Sequence, residues 1–147
     1  MTITDIDIHL VEDAKDVRAC FPLMSQLRPH LADAEEFIAR WQRLCGDGYR
    51  LLALRDEGHV VALSGFRVQE NLVHGRFLYV DDLVTDESLR GKRYGERLMS
   101  WLKQEAQKLS CKKLVLDTPL SNSLGHRFYF RNGLLATSLR FNTPIET

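Results

Sequence analysis

The chain has little cysteine: Cys20, Cys45 and Cys111 are its three, widely spaced in 147 residues. Lone thiols in apolar or mixed surroundings fit neither a disulfide framework nor a zinc motif, and they point to a reducing, cytoplasmic setting. His9, His30, His59 and His74 show no ligand spacing, so no metal is called for. An excess of charge of one sign is also missing. Twenty Lys and Arg balance twenty Asp and Glu, which removes the broad basic footprint of a nucleic-acid or anionic-membrane binder. Apolar runs are only a few residues long, so no segment is expected to span a bilayer. Met1–His9 alternates Thr, Asp and Ile without the basic and apolar regions of a signal peptide. Internal repeats, linkers and low-complexity tracts are absent as well.

What is present is ordinary globular material. Apolar residues at 44% and charged residues at 27% supply a core without disulfides or metal at this length. Residues 1–147 are therefore expected to form a single domain.

The pattern along the chain then sets the elements. Ile3-Thr4-Asp5-Ile6-Asp7-Ile8 alternates with period two and predicts a first strand. From Glu12 to about Leu27, Val17, Phe21, Met24 and Leu27 recur at helical spacing and predict a helix, with Pro22 a point where it could break. Asp33 reads as an N-cap for a second helix carrying Phe37, Ile38, Trp41, Leu44 and Cys45, stopped at Gly46-Asp47-Gly48. Tyr49–Arg55 and Val60–Val68 predict two strands joined at Asp56-Glu57-Gly58-His59, and a turn around Asn71–Gly75 leads to a third, Arg76–Val84. A helix over Tyr94–Leu109, a short strand Lys113–Asp117, a helix Asn122–Asn132 ending at Gly133, and a last strand Leu134–Phe141 follow. The order predicts a mixed α/β (α+β) domain around a central sheet.

The segment richest in chemistry joins the third of these strands to the next helix. Arg90-Gly91-Lys92-Arg93-Tyr94-Gly95 opens directly into an amphipathic helix. A glycine-bearing loop at a helix N-terminus offers unpaired N–H groups and the positive end of the helix dipole, and Arg90, Lys92 and Arg93 add charge. That suits a pyrophosphate, although a solvated basic helix start has the same composition. The spacing is neither that of a P-loop nor of G-x-G-x-x-G. Just upstream, Asp81 and Asp82 interrupt an apolar strand. Alternation would send them to opposite faces. Carboxylates there are costly to bury unpaired, which makes them candidates for a base of raised pKa or for a rim pair bonded to Arg67 or Arg76.

The loop resembles the signature of the GNAT superfamily of acyl-CoA N-acyltransferases, commonly written Q/R-x-x-G-x-G/A, with Arg90 first and Gly95 last. Downstream, Asn122-Ser-Leu-Gly125-His-Arg-Phe128-Tyr129-Phe-Arg131-Asn-Gly133-Leu134 resembles N-x-x-A-x-x-F-Y-x-K/R-x-G-F. The two stretches are independent and correctly ordered. Arg93, Gly125 and Leu134 depart from the pattern, and Arg93 stands where the family prefers glycine.

The resemblance implies a mixed, mostly antiparallel sheet of about six to seven strands flanked by about four helices. It implies an N-acetyltransferase in which a primary amine, on a small molecule or a protein, attacks acetyl-CoA directly. Acetyl-CoA would lie on backbone groups of Leu83, Val84 and Thr85, on the loop Arg90, Gly91, Lys92, Arg93, Tyr94, Gly95 and Glu96, and on Asn122, which also suits a helix N-cap. Tyr129 would be the general acid, or else an aromatic packing residue. Of the two carboxylates Asp81 is the favoured base, because its face matches the one other members use; His126 stands in reserve. Acceptor choice would reside in the first two helices with Arg28-Pro29-His30-Leu31 between them, and in Gln69–Gly75. A homodimer follows by family analogy. The rival expectation is a non-catalytic acyl-CoA-binding or interaction module on the same fold.

Overall fold

The computed structural model describes residues 5–89 and 91–146. Ile3 and Thr4 of the expected first strand lie outside them; the described strand β1 is Ile6–Val11. Helix α1, Ala14–Leu27, starts at Asp13, whose carboxylate accepts the Asp16 N–H at 2.8 Å. The helix does not break at Pro22. Proline removes one backbone hydrogen bond, but Val17, Cys20, Leu23 and Met24 are buried on both sides of it, and that apolar burial keeps the helix continuous. Helix α2, Ala34–Cys45, is capped as expected: Asp33 accepts the Glu36 N–H at 2.8 Å, and Glu36 reaches back to the Ala32 N–H.

Strands β2 (Arg50–Asp56), β3 (His59–Asn71) and β4 (Gly75–Thr85) form the expected antiparallel meander. The β2–β3 connection is a two-residue turn with positive φ at both Glu57 (51°) and Gly58 (83°), the geometry that matches strand twist. Helix α3 is Tyr94–Lys108 and β5 is Lys113–Leu116. The sheet order is β1-β2-β3-β4-β5, with β5 parallel to β4 and all other neighbours antiparallel. Strand β2 shows how both faces are used. Leu51 and Ala53 pack into a core with α1 and α2, while Leu52 and Leu54 pack into a second core with α3.

The chain divides into two compact units, with the boundary between Leu116 and Asp117. The second contains helix α4, Ser123–Arg131, capped by Asn122 and followed by Gly133 at φ 87°. The expected last strand, Leu134–Phe141, is not formed, so five strands are described rather than six or seven. A strand exists only through a ladder partner, and alternation in the sequence cannot supply one. Leu135, Leu139, Phe141 and Ile145 are left exposed.

Candidate active site

The site begins with a β-bulge. Gly65 of β3 pairs with Asp82 of β4, but the next residue, Phe66, pairs with Val80, leaving Asp81 as the extra residue. One extra residue shifts the parity of a strand. Before the bulge Leu78 and Val80 enter the core against α3; after it Val84 enters the core against α1 and α2. The expectation that Asp81 and Asp82 diverge to opposite faces is thereby overturned, because both carboxylates join a single cluster. Arg67 holds Asp81 in a fork, Nε to Oδ2 and Nη2 to Oδ1, each at 3.0 Å. The Arg67 guanidinium also lies 5.9 Å from the centre of the Tyr49 ring, whose hydroxyl donates to Asp82 Oδ2 at 2.7 Å. Arg28, the C-cap residue of α1, donates from Nε to Asp82 Oδ1 at 3.0 Å and from Nη2 to the Asp81 carbonyl at 2.9 Å. Ser64 Oγ donates to the Asp82 carbonyl at 2.9 Å. Of the two partners expected for the carboxylates, Arg67 is the real one; Arg76 instead donates to the Leu109 carbonyl.

Burial decides the electrostatics here. Desolvation pushes the Asp81 carboxyl above its ordinary range, against the opposing pull of Arg67. Burial, with Asp82 beside it, raises the Tyr49 phenol well above its ordinary value, so it serves as a fixed donor. The thiol of Cys20 is pushed up to about 12 by burial, which removes it as a nucleophile. Among the described residues no group of three or more His, Cys, Asp or Glu could hold a metal ion.

Strand β4 outruns its parallel neighbour. β5 pairs only with Phe77–Val80, so Asp81–Thr85 have no β5 partner along that edge. Leu83 turns toward the α3 core, Val84 is buried on the opposite face, and Thr85 ends the strand half-buried. Of the loop that follows, Arg90 lies outside the described residues. Gly91 sits at φ 90° and Arg93 at φ 62°. This accounts for the family's glycine at position 93: the backbone is left-handed there, a conformation that costs an L-residue about 1–2 kcal/mol. Arg93 is also the N-cap of α3, and its side chain makes no capping hydrogen bond. Its first N–H groups therefore remain available to an anion. Lys92, Arg93, Glu96, Arg97 and Ser100 line an open depression of about 340 Å³ at this end. Gly95 is buried in the first turn. The Tyr94 side chain is turned into the α3 core, with its hydroxyl on Asp56.

In the second unit Asn122 accepts the Gly125 N–H at 3.1 Å and donates to Thr118 Oγ1 at 2.9 Å. Gly125 has a reason to lack a side chain, since a Cβ there would lie 2.2 Å from the Asn122 amide nitrogen. His126 is engaged with the Pro119 carbonyl at 3.1 Å, an anchor for the start of α4. Tyr129 is half-buried and packs edge-on to Phe128; burial raises its phenol, which stays protonated at neutral pH.

Three residues of the cluster escape sequence reading as chemistry. Arg28 is visible only as part of a connection, and Tyr49 only as the start of a strand. Gly65 carries the one usable signal, because glycine inside an apolar strand marks a bulge or a close approach. A Cβ at Gly65 would lie 1.8 Å from the Tyr49 hydroxyl and 2.5 Å from Asp82 Oδ2.

The model of the acetyltransferase (GNAT) family matches residues 15–134. The chain is 31% identical over 127 residues to the uncharacterized N-acetyltransferase YhdJ of Bacillus subtilis (strain 168), covering 85% of this chain and 89% of that one. It is 33% identical over 98 residues to an aminoalkylphosphonate N-acetyltransferase of Salmonella typhimurium, covering 66% and 62%. A glucosamine 6-phosphate N-acetyltransferase of Arabidopsis thaliana is 25% identical over 114 residues, covering 74% of each. Among solved structures, an aminoglycoside N-acetyltransferase, AAC(6')-Iy, in complex with CoA superposes with a TM-score of 0.86 at 14% identity, covering 99% of this chain and 98% of that one. These relatives are enzymes and give no support to a non-catalytic module. The chain belongs to the GNAT acetyltransferase family and is an N-acetyltransferase that transfers the acetyl group of acetyl-CoA to an amine.

Proposed function

We propose that the acceptor is a small molecule whose primary amine shares a skeleton with a phosphate or phosphonate group, and that Asp81 is the general base and Tyr129 the general acid. The observation that carries this reading is the bulge cluster. Two carboxylates and two guanidinium groups meet on one face of β4, a net-neutral arrangement complementary to a molecule bearing both an ammonium and an anion. The aminoalkylphosphonate and glucosamine 6-phosphate enzymes act on acceptors of that kind by name.

In the proposed reaction an amine that arrives protonated gives its proton to Asp81, directly or through water. Asp81 suits this better than Asp82. Arg67 leaves a lone pair on each Asp81 oxygen, whereas Asp82 Oδ1 receives both Nε and Nη2 of Arg28, its Oδ2 faces the buried Tyr49 hydroxyl, and the Asp82 side chain is the less accessible of the two, 13% against 20%. The freed amine attacks the thioester carbonyl, the C–N bond forms and the C–S bond breaks. Tyr129 then protonates the departing thiolate, and the proton that the nitrogen sheds as the amide forms returns to the Tyr129 phenolate through water. The backbone of Leu83–Thr85 would pair with acetyl-CoA, and Arg90, Gly91, Lys92, Arg93, Gly95 and the open start of α3 would receive its pyrophosphate. Tyr94 and Glu96 would contribute backbone to that turn, and Asn122 a further contact. The family match runs from 15 to 134, across the boundary between the two units, which supports reading residues 1–147 as one acetyltransferase domain. No described helix is long and apolar enough to cross a membrane, and the free cysteines suit a cytoplasmic protein.

The test is an acetylation assay with 2-aminoethylphosphonate and glucosamine 6-phosphate, paired with calorimetric titration of acetyl-CoA. Tyr129→Phe is expected to bind acetyl-CoA like the intact chain and to lose about 10²-fold or more in kcat; full activity in that variant would remove Tyr129 from the reaction. A homodimer is proposed as well, since Leu135, Leu139, Phe141 and Ile145 are exposed apolar side chains that association would cover. Sedimentation velocity should show the dimer at micromolar concentration, and a single monomeric species would dismiss it.

A further inference from the structure

We propose that Arg28 is the specificity-determining residue that reads the anionic group of the acceptor, aimed by Asp82 and by the carbonyl of Asp81. This rests on the acceptor class proposed above and assigns it to one side chain. Arg28 ends α1, at the head of the connection to α2. Its Nε and Nη2 are spent on Asp82 Oδ1 and the Asp81 carbonyl, while Nη1 makes no hydrogen bond among the described residues. The two partners of this ion pair differ in exposure: the Arg28 side chain is 41% accessible and that of Asp82 is 13%. The buried carboxylate thus acts as a mount, and the guanidinium is the part that faces outward. A planar fork fixed along one edge and open along another is suited to a tetrahedral anion.

The mount is itself held. Tyr49 donates to the second oxygen of Asp82, and Gly65 leaves the space that this hydroxyl occupies. Asp82 therefore cannot rotate without losing Tyr49, and Arg28 cannot swing without losing Asp82. Asp81, the proposed base, lies next along the strand, and its own carbonyl takes Arg28. An acceptor with its anion on Arg28 would accordingly present its amine beside Asp81. Arg67 is less suited to this role. Its side chain is only 20% accessible, and both Nε and Nη2 are bound to Asp81. Its guanidinium also lies over the Tyr49 ring.

The experiment compares kcat/KM for 2-aminoethylphosphonate and for propylamine, which has no anion, in the intact chain, Arg28→Gln, Arg28→Lys and Asp82→Asn. In Arg28→Gln the ratio of the two values should fall about 10–100-fold, the loss expected for a hydrogen bond to a charged group. The Arg28→Lys variant should recover part of it, and Asp82→Asn should lower it through loss of aim. An unchanged ratio in Arg28→Gln, with both amines slowed alike, would overturn the proposal in favour of a merely structural ion pair. Calorimetric binding of methylphosphonate supplies a readout that needs no turnover. Binding by the intact chain that Arg28→Gln loses, at an unchanged melting temperature, supports the assignment. Absence of binding to the intact chain overturns it. Should the intact chain acetylate neither amine, the acceptor class of the preceding section fails, and methylphosphonate still decides the role of Arg28.

Discussion

Replacing Asp81 with Asn should lower kcat/KM about 10²–10⁴-fold, the contribution of a positioned general base. The substitution keeps the shape of the side chain and a carbonyl oxygen for Arg67, so the fold should survive. What it removes is the group that holds the amine's proton. The pH profile is the sharper measurement. Burial raises the Asp81 pKa, so the carboxylate form accumulates at a higher pH than it would in an exposed aspartate. The acid limb of kcat/KM should lie correspondingly higher in the intact chain and vanish in Asp81→Asn. An acid limb that persists there, or that moves with Asp82→Asn instead, would assign the base elsewhere. The same shift has a stability sign. A folded-state pKa above the unfolded value means that the contribution of Asp81 to stability is full below the unfolded pKa and is lost as pH rises through the folded one. Equilibrium unfolding of intact chain and Asp81→Asn should therefore converge at low pH and separate as pH rises.

Gly65→Ala should destabilise the protein by about 3–5 kcal/mol, combining overpacking with the loss of a donor to a charged group. For a chain of this size that corresponds to a fall in melting temperature of roughly 10 °C. The added Cβ would sit 1.8 Å from the Tyr49 hydroxyl, 2.4 Å from its ring carbon and 2.5 Å from Asp82 Oδ2. None of the three can retreat cheaply, because Tyr49 is buried and Asp82 is held by Arg28. A double-mutant cycle with Tyr49→Leu, which removes the hydroxyl and the aromatic ring carbon, should recover at least 1 kcal/mol as coupling between the two sites, within the range for residues in contact. A melting temperature for Gly65→Ala within 2 °C of the intact chain would mean that the cluster yields easily.

Most of the architecture was legible because its signals are local. Asp33 announces the start of α2, Glu57-Gly58 sets the hairpin, and the loop before α3 is recognisable from its glycines and basic residues. The misreadings arise where pairing overrides pattern. Pro22 leaves open whether α1 runs unbroken, and only the burial of its neighbours on both sides decides that it does. Leu134–Phe141 looks like a strand, yet no ladder forms there. Alternation separates Asp81 from Asp82, whereas the register of β4 against β3 unites them. Arg28 stands 54 positions from Asp82 and Tyr49 stands 33 from it. No short-range pattern links residues so far apart, so the proposed base and acid were readable, and the residues that fix the base's surroundings were not.

The bulge at Asp81 has a bearing on how such a site can change over generations. It works like a frameshift in the strand: positions up to Val80 are read by the core against α3, while Val84 beyond it is read by the core against α1 and α2. Substitutions at 81 and 82 can thus alter what the cluster recognises while the packing of Leu78 and Val80 on α3 stays as it is. Deleting Asp81 would close the bulge: Asp82 would follow Val80 directly, still opposite Gly65, and Val84 would keep its place opposite Leu63. The strand can therefore gain or lose the carboxylate held by Arg67 at this point without rewriting the pairing on either side of it.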